Sequence, residues 1–224
     1  MLALTILIAA TLLFDAVLLG FLAWAFHSPR FASRRISPAV SLRVSRNNRL
    51  LTMASSSFIS LATIVGVLYA FHDRLVTTHE TPVWIAALQA VGILVIYDFV
   101  YYGLHRTMHI ASLMRFVHGV HHRAKNPSAL ESFYLHPVEL LAGLALLMFS
   151  TWVIGPVHIY AFAVAFFVYS TLNILIHSGI YFGNAMLWPV DALTRKHHVH
   201  HMKDHGKNYS SLTPLPDLIF RTAG

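Results

Sequence analysis

Five stretches of the chain run almost without charge, and each reads as a helix that crosses a bilayer. They cover residues 2–26, 51–71, 82–104, 137–154 and about 157–176. A spanning helix needs about 20 apolar residues. The first run, Leu2 to Phe26, has Asp15 as its only charge. A cleaved leader is the rival reading of that run. Against it, no basic residue precedes the run, and the apolar core of a leader is only about 7–15 residues. The second run opens near Ser55, Ser56 and Ser57, whose hydroxyls can bond their own helix backbone. The last two runs are short, about 27 Å for an 18-residue helix. They form either a full hairpin or a re-entrant pair. Gly155-Pro156 between them is a tight-turn signal, so the full hairpin is the expectation. The pattern predicts an all-α membrane bundle of four to five spans with a histidine-rich helical cap. One domain covers residues 1–224, with N-terminal spans and a basic loop in 1–81 and the chemistry in 82–224.

The polar positions predict an orientation. Loop 27–50 carries Arg30, Arg34, Arg35, Arg43, Arg46 and Arg49 and no acid. By the positive-inside rule it is cytoplasmic, which puts the N-terminus outside. Segment 105–136, with Arg106, Arg115, Arg123 and Lys125, falls on the same cytoplasmic side. So does the tail after 176, with Arg195, Lys196, Lys203, Lys207 and Arg221. Loop 72–81 and the Gly155-Pro156 turn fall outside, with Arg74 as the one basic residue there. The net charge of +7 is thus a topology signal beside anionic lipid, and no nucleic acid is needed to explain it. Charged residues make up only 11% of the chain, against about 25% in soluble proteins, which sets aside a soluble nucleic-acid binder. The mean hydropathy of +0.61 also excludes a disordered chain. The absence of cysteine excludes a disulfide scaffold, a thiolate zinc site and a cysteine-held iron–sulfur cluster.

The 16 histidines outnumber the 9 carboxylates, so most imidazoles cannot each have an acidic partner. His105 and His109 stand four apart just after the third span. His118, His121 and His122 form an HxxHH triad, and His197, His200 and His201 form a second. His177 ends the fifth span, four residues after Asn173. Residues three or four apart share a helix face, so each triad can serve one ion or two adjacent ions. A single such pair is weak evidence, because short motifs arise by chance. The whole set, gathered at one membrane edge, points to metal. Nitrogen ligation alone suits zinc, iron, copper or nickel. Nine imidazoles are too many for one ion; two ions with four or five each fit the count. Structural zinc closes at four ligands, so open positions favour redox chemistry, and among these metals iron is the expectation.

These residues resemble the fatty acid hydroxylase/sterol desaturase superfamily of membrane di-iron oxygenases. The match runs from Asp98-Phe99-Val100-Tyr101-Tyr102 through His105-Arg106-x-x-His109 and Phe116-x-His118-x-x-His121-His122. It continues with Ser128-Ala129, His136-Pro137-x-Glu139, Asn173-x-x-x-His177-Ser178-Gly179 and His197-x-x-His200-His201. It closes on Asn208-Tyr209 and Asp217-Leu218-Ile219-Phe220-Arg221-Thr222. It covers about residues 90–224, and the ordered set is specific although each piece alone is not. Two positions depart from the pattern: Arg221 and Ser210 stand where many relatives have glycine. The resemblance implies a helical membrane protein that uses O₂ and two electrons to hydroxylate or desaturate an unactivated C–H bond of a lipid. The ligands it implies are His105, His109, His118, His121, His122, His177, His197, His200 and His201, with Asn173 as a tenth through water. It implies two iron ions, which zinc can replace on purification. No dinucleotide motif or cluster site is present in this sequence. Electrons would then come from a separate donor of cytochrome b5, ferredoxin or reductase type.

Several residues keep two readings. Asp98 either orients a ligand imidazole through its free N–H or pairs with an arginine. His136 and Glu139 either support ligands or cap the fourth span. His198 is out of phase with its triad and is expected to be exposed, His205 solvated, and His27 interfacial. Asp15, a costly charge in mid-span, is neutral, hydrogen-bonded or near a substrate path. Rival functions are a histidine-rich metal transporter or sensor, a bis-histidine haem protein and a zinc-dependent lipid hydrolase. A transporter predicts polar residues deep in several spans, which are scarce here. Haem needs paired histidines at membrane depth on facing helices, whereas these lie at one edge.

Overall fold

The computed structural model describes residues 2–37, 44–202 and 205–224. Arg43 and Lys203, two of the residues used for orientation, lie outside the described residues. Five helices are long and apolar enough to cross a membrane: α1 (Leu2–His27), α2 (Arg46–Leu75), α3 (Val83–Met108), α5 (Pro137–Ile154) and α6 (Ile159–Ile176). A short α4 (Ala111–Leu113) follows α3, and α7 (Trp188–Met202) and α8 (Leu215–Ile219) build the cap. Among the described residues the structure is therefore all-α apart from two parallel two-residue strands, β1 (Val76–Thr77) and β2 (Val157–His158).

Local chemistry explains where the helices start and stop. α2 begins before its apolar run because the Ser45 hydroxyl accepts the Asn48 N–H, and it then carries Arg46 and Arg49 at the bundle's edge. α5 opens on Pro137, with His136 Nδ1 accepting the Val138 N–H at 3.2 Å. It stops at Gly155, whose φ of +98° suits glycine alone. α5 and α6 then form a full hairpin of two 18-residue helices, as the Gly-Pro signal suggested. α3 lies at the centre, packed on α5 and α6, with α2 outside α5 and α1 outside α6. Ile93, Tyr97, Leu147, Phe162 and Phe166 form the core. The outer faces carry large bare apolar side chains, with Phe58 72% and Tyr69 81% exposed, which is a surface made for lipid.

The loops sort to two ends. At one end, Ile36 N–H reaches the Gly179 carbonyl, Tyr181 N–H reaches Arg34, and Arg49 pairs with buried Glu131. This ties the loop after α1 to the loop after α6, and the start of α2 to the loop after α4. At the other end β1 pairs with β2, joining the loops after α2 and α5. Five alternating crossings produce this sorting.

Candidate metal centre

Every histidine of the candidate set lies at the first of these ends, delivered by four short pieces of backbone. The last turn of α3 brings His105, and His109 caps that helix. Beyond α4 the chain widens into a π-turn, Met114–His118, closed by Gly119 N–H on the Met114 carbonyl at 2.8 Å. A Cβ on Gly119 would overlap that carbonyl oxygen, so the turn requires glycine. A 3-10 turn, His121–Arg123, follows directly. His177 caps α6, and α7 carries His197, His200 and His201.

The nine imidazoles assemble into two groups. His105, His109, His118, His122 and His200 form one; His121, His177, His197 and His201 form the other. Within each group the donor atoms lie within 4.8 Å of one another. Both triads split in the same way. His118 and His122 enter the five, while His121 joins the four. His197 and His201 enter the four, while His200 joins the five. Neighbouring residues on a helix diverge by about 100°, so adjacent histidines point at different centres.

The outer nitrogens are held by fixed acceptors. Nδ1 of His105 donates to the Tyr209 carbonyl at 2.7 Å, His177 to Asn173 at 2.6 Å, and His200 to Lys207 at 2.6 Å. His121 uses the Tyr134 carbonyl at 3.2 Å and His201 that of Ala124 at 3.0 Å. His118 Nδ1 meets the Glu139 carboxylate at 2.8 Å. A carbonyl can only accept, so the proton sits on Nδ1 and Nε2 presents a lone pair. These Nε2 atoms converge: His105 to His118 is 3.0 Å, His121 to His177 3.1 Å, and His177 to His197 2.8 Å. Lone pairs facing at that distance repel, and cations between them are the natural relief. The donor set therefore fits metal.

Burial keeps the rings neutral. His109 is pushed down to about 3 by burial and then by His200 and His118. Burial takes His200 to about 3 and His177 to about 4, although the Lys207 and Asn173 carbonyls pull the other way. Burial also lowers His121, His122, His197 and His201. All these shifts start from an ordinary value of 6.5, so an unfolded chain takes protons first as pH falls. The contribution to stability is complete above about pH 6.5 and is lost progressively toward pH 3. Metal-free protein should melt at a lower temperature at about pH 5 than at about pH 7.5. Equal melting temperatures across that range would contradict these buried neutral rings.

Other readings change. Asp98 does not touch an imidazole. It accepts the backbone N–H groups of Ser211, Leu212 and Thr213 and the Thr213 hydroxyl, so it anchors the loop whose Tyr209 carbonyl holds His105. It stands two turns from His105, about 10 Å along the axis, too far to reach the ring. His136 is the cap of α5 and makes no bond to the histidine groups among the described residues. Asn173 acts on His177 through its carbonyl, while its side chain lines a cavity. His198 is buried, not exposed: Ser37 from the loop after α1 covers it, with Oγ 2.9 Å from Nε2. His205 is exposed but meets the rim of the five edge to face, its ring 4.9 Å from that of His122. His27 is exposed, beside Phe26. Arg221 has φ of +58°, a backbone shape that glycine adopts freely. The carbonyl partners Tyr134, Tyr209, Ala124 and Lys207 carry no signal in sequence. Glu139 carried an ambiguous one.

A cavity of about 340 Å³ opens from His105, His121 and His177 into the bundle between α1, α2, α3, α5 and α6. Leu12, Leu61, Ile64, Leu140, Leu144 and Phe166 are among its walls.

The chain matches the model of the family described as fatty acid hydroxylase over residues 90–222. Methylsterol monooxygenase 1 of Rattus norvegicus is 30% identical over 177 residues, 74% of this chain and 57% of the relative. Very-long-chain aldehyde decarbonylase GL1-8 of Oryza sativa subsp. indica is 32% identical over 155 residues, 65% of this chain and 56% of the relative. Methylsterol monooxygenase 2-2 of Arabidopsis thaliana is 33% identical over 136 residues, 57% of this chain and 49% of the relative. The chain spans about half the length of the curated relatives it matches. No solved structure matches. The match takes in every histidine of both groups, and the chain belongs to the fatty acid hydroxylase family.

Proposed function

We propose that the protein is a membrane-bound di-iron oxygenase that hydroxylates or desaturates an unactivated C–H bond of a lipid. The observation that carries this reading is the convergence of nine imidazoles on two centres at the mouth of an intramembrane cavity. The five would hold one iron and the four the other. Iron bound there would supply O₂ activation and the redox steps that an unactivated C–H bond requires. Fewer protein ligands than an octahedral ion takes would leave positions open on the four-histidine side. The chain's own part is positional. Carbonyls and Glu139 fix the imidazoles in one tautomer, and the apolar walls hold a hydrocarbon against them and exclude water. By the positive-inside rule the basic loops favour the cytoplasmic side for this end, where a separate donor of cytochrome b5, ferredoxin or reductase type would deliver electrons.

The test is anaerobic purification followed by metal analysis and O₂ uptake with a chemical reductant. About two irons per chain and lipid-dependent O₂ uptake are expected, since each histidine group offers one metal's worth of nitrogen ligands. One zinc per chain with no O₂ uptake would overturn the oxygenase reading and favour a zinc hydrolase.

A further inference from the structure

The cavity is not apolar throughout. Asp15 of α1 lines it, buried to 5% exposure, and its Oδ1 accepts the Thr171 hydroxyl at 2.8 Å. Ser170, next to Thr171, and Ser57 and Ser60 of α2 line the same cavity. Asp15 stands 12 residues before the end of α1, about 18 Å along the helix, close to the middle of a bilayer about 30 Å thick. Thr171 stands six residues before His177, about 9 Å along α6. The histidines and the Asp15 cluster therefore line one cavity at different depths.

A carboxyl at that depth is costly, and intramembrane carboxyls are kept mainly where they bind something or pair. No lysine or arginine lines this cavity among the described residues, so Asp15 has no cation there. Thr171 and its neighbour Ser170 use about two of the four accepting positions on the carboxylate, which leaves the others open. Ser57 gives its hydrogen to the Met53 carbonyl, and the Ser170 hydroxyl is shared between the Phe166 carbonyl and Asp15, which leaves both oxygens as acceptors too. The wall is thus rich in acceptors and lacks a cation. A pure hydrocarbon would leave those acceptors dry.

We propose that Asp15, with Ser170, forms a polar subsite that accepts a hydrogen bond from a hydroxyl group of the lipid. The substrate is then a hydroxylated lipid whose hydroxyl is held beside Thr171, more than one helical turn along α6 from His177. This rests on the oxygenase reading for the word substrate, but the subsite itself is a binding claim. A plain structural alternative exists: Asp15–Thr171 is a polar tie between α1 and α6.

The experiment separates them. Full-length wild type, Asp15→Leu, Asp15→Asn and Thr171→Val are purified in nanodiscs and equilibrated with two matched probe pairs, 5α-cholestan-3β-ol with 5α-cholestane and 1-octadecanol with octadecane. Retained probe is measured by mass spectrometry, together with bound iron. Wild type should retain at least one alcohol about tenfold over its hydrocarbon, the gain expected of one good buried hydrogen bond. Asp15→Leu should bring that ratio close to one. Asp15→Asn, which swaps an acceptor for a donor but keeps the tie, should lower it several-fold. Thr171→Val should keep most of it, and iron content should stay unchanged throughout. No preference for either alcohol in wild type, an unchanged ratio in both Asp15 variants, or equal losses in Thr171→Val and Asp15→Leu would overturn the subsite. Loss of iron and O₂ uptake from wild type itself would instead sink the oxygenase reading, with the retention ratios still reporting on Asp15.

Discussion

Replacing His121 with alanine is expected to empty the four-histidine centre and to cut activity by at least about 100-fold. Removal of an outer partner of a ligand already costs about 10- to 100-fold in affinity or activity, and removal of the ligand itself costs more. His121 is well chosen because it ties three parts together. Its Nδ1 is fixed by the Tyr134 carbonyl, its Nε2 lies 3.1 Å from that of His177, and its ring lies 4.6 Å from that of His201. Alanine leaves three nitrogens, His177, His197 and His201, to hold an ion by themselves. Iron per chain should fall by about half or more, and the remainder should report the five-histidine centre, because that group does not include His121. His136→Ala is the matched control, since His136 loses only a helix-capping bond. Its iron content should equal wild type. Full iron and full activity in His121→Ala would remove this residue from the ligand set.

The spans were legible because lipid demands long apolar runs and the chain supplies five of them. Their ends were less so. α2 starts at Arg46 rather than at the apolar run because a serine cap and surface arginines let the helix continue beyond lipid depth. The split of each triad was only half legible: the spacing allowed one ion or two, and the structure sends His121 and His200 to a different group from the other two histidines of their triads. What supports the ligands was mostly illegible. Five of the six fixed Nδ1 acceptors are backbone carbonyls, which every residue type offers equally. Asp98 misled because it shares a helical stripe with His105, and sequence shows the stripe but not the two turns of separation. His198 misled because a helix face opposite the metal is exposed only if nothing covers it. Ser37, some 160 residues away in sequence, covers it.

That reassignment of Asp98 gives the second large effect. Asp98→Ala is expected to lower stability by about 3–5 kcal/mol and to loosen the five-histidine centre while sparing the four. The carboxylate is 2% exposed and accepts three backbone N–H groups, at 3.2, 2.9 and 3.0 Å, and the Thr213 hydroxyl at 2.5 Å. Alanine leaves those donors buried and unpaired, at about 1–3 kcal/mol each before water or loop movement relieves them. The loop would then move, and with it the Tyr209 carbonyl that orients His105. A second clamp keeps the collapse partial. Asp217 accepts Tyr209 N–H at 2.8 Å and Ser210 N–H at 3.0 Å, and Lys196 of α7 pairs with it at 2.7 Å. Burial raises the Asp217 carboxyl, but Lys196 and Ser210 outweigh this and hold it below its ordinary value, so this clamp stays ionised near neutral pH. Loss of Asp98 should therefore free one end of the loop and not the other. Asp98→Asn keeps one accepting oxygen and should fall between wild type and alanine in both melting temperature and iron content. If Asp98→Ala melts like wild type but loses iron from both centres equally, Asp98 acts on the metals directly, and the anchoring role assigned to it here is wrong.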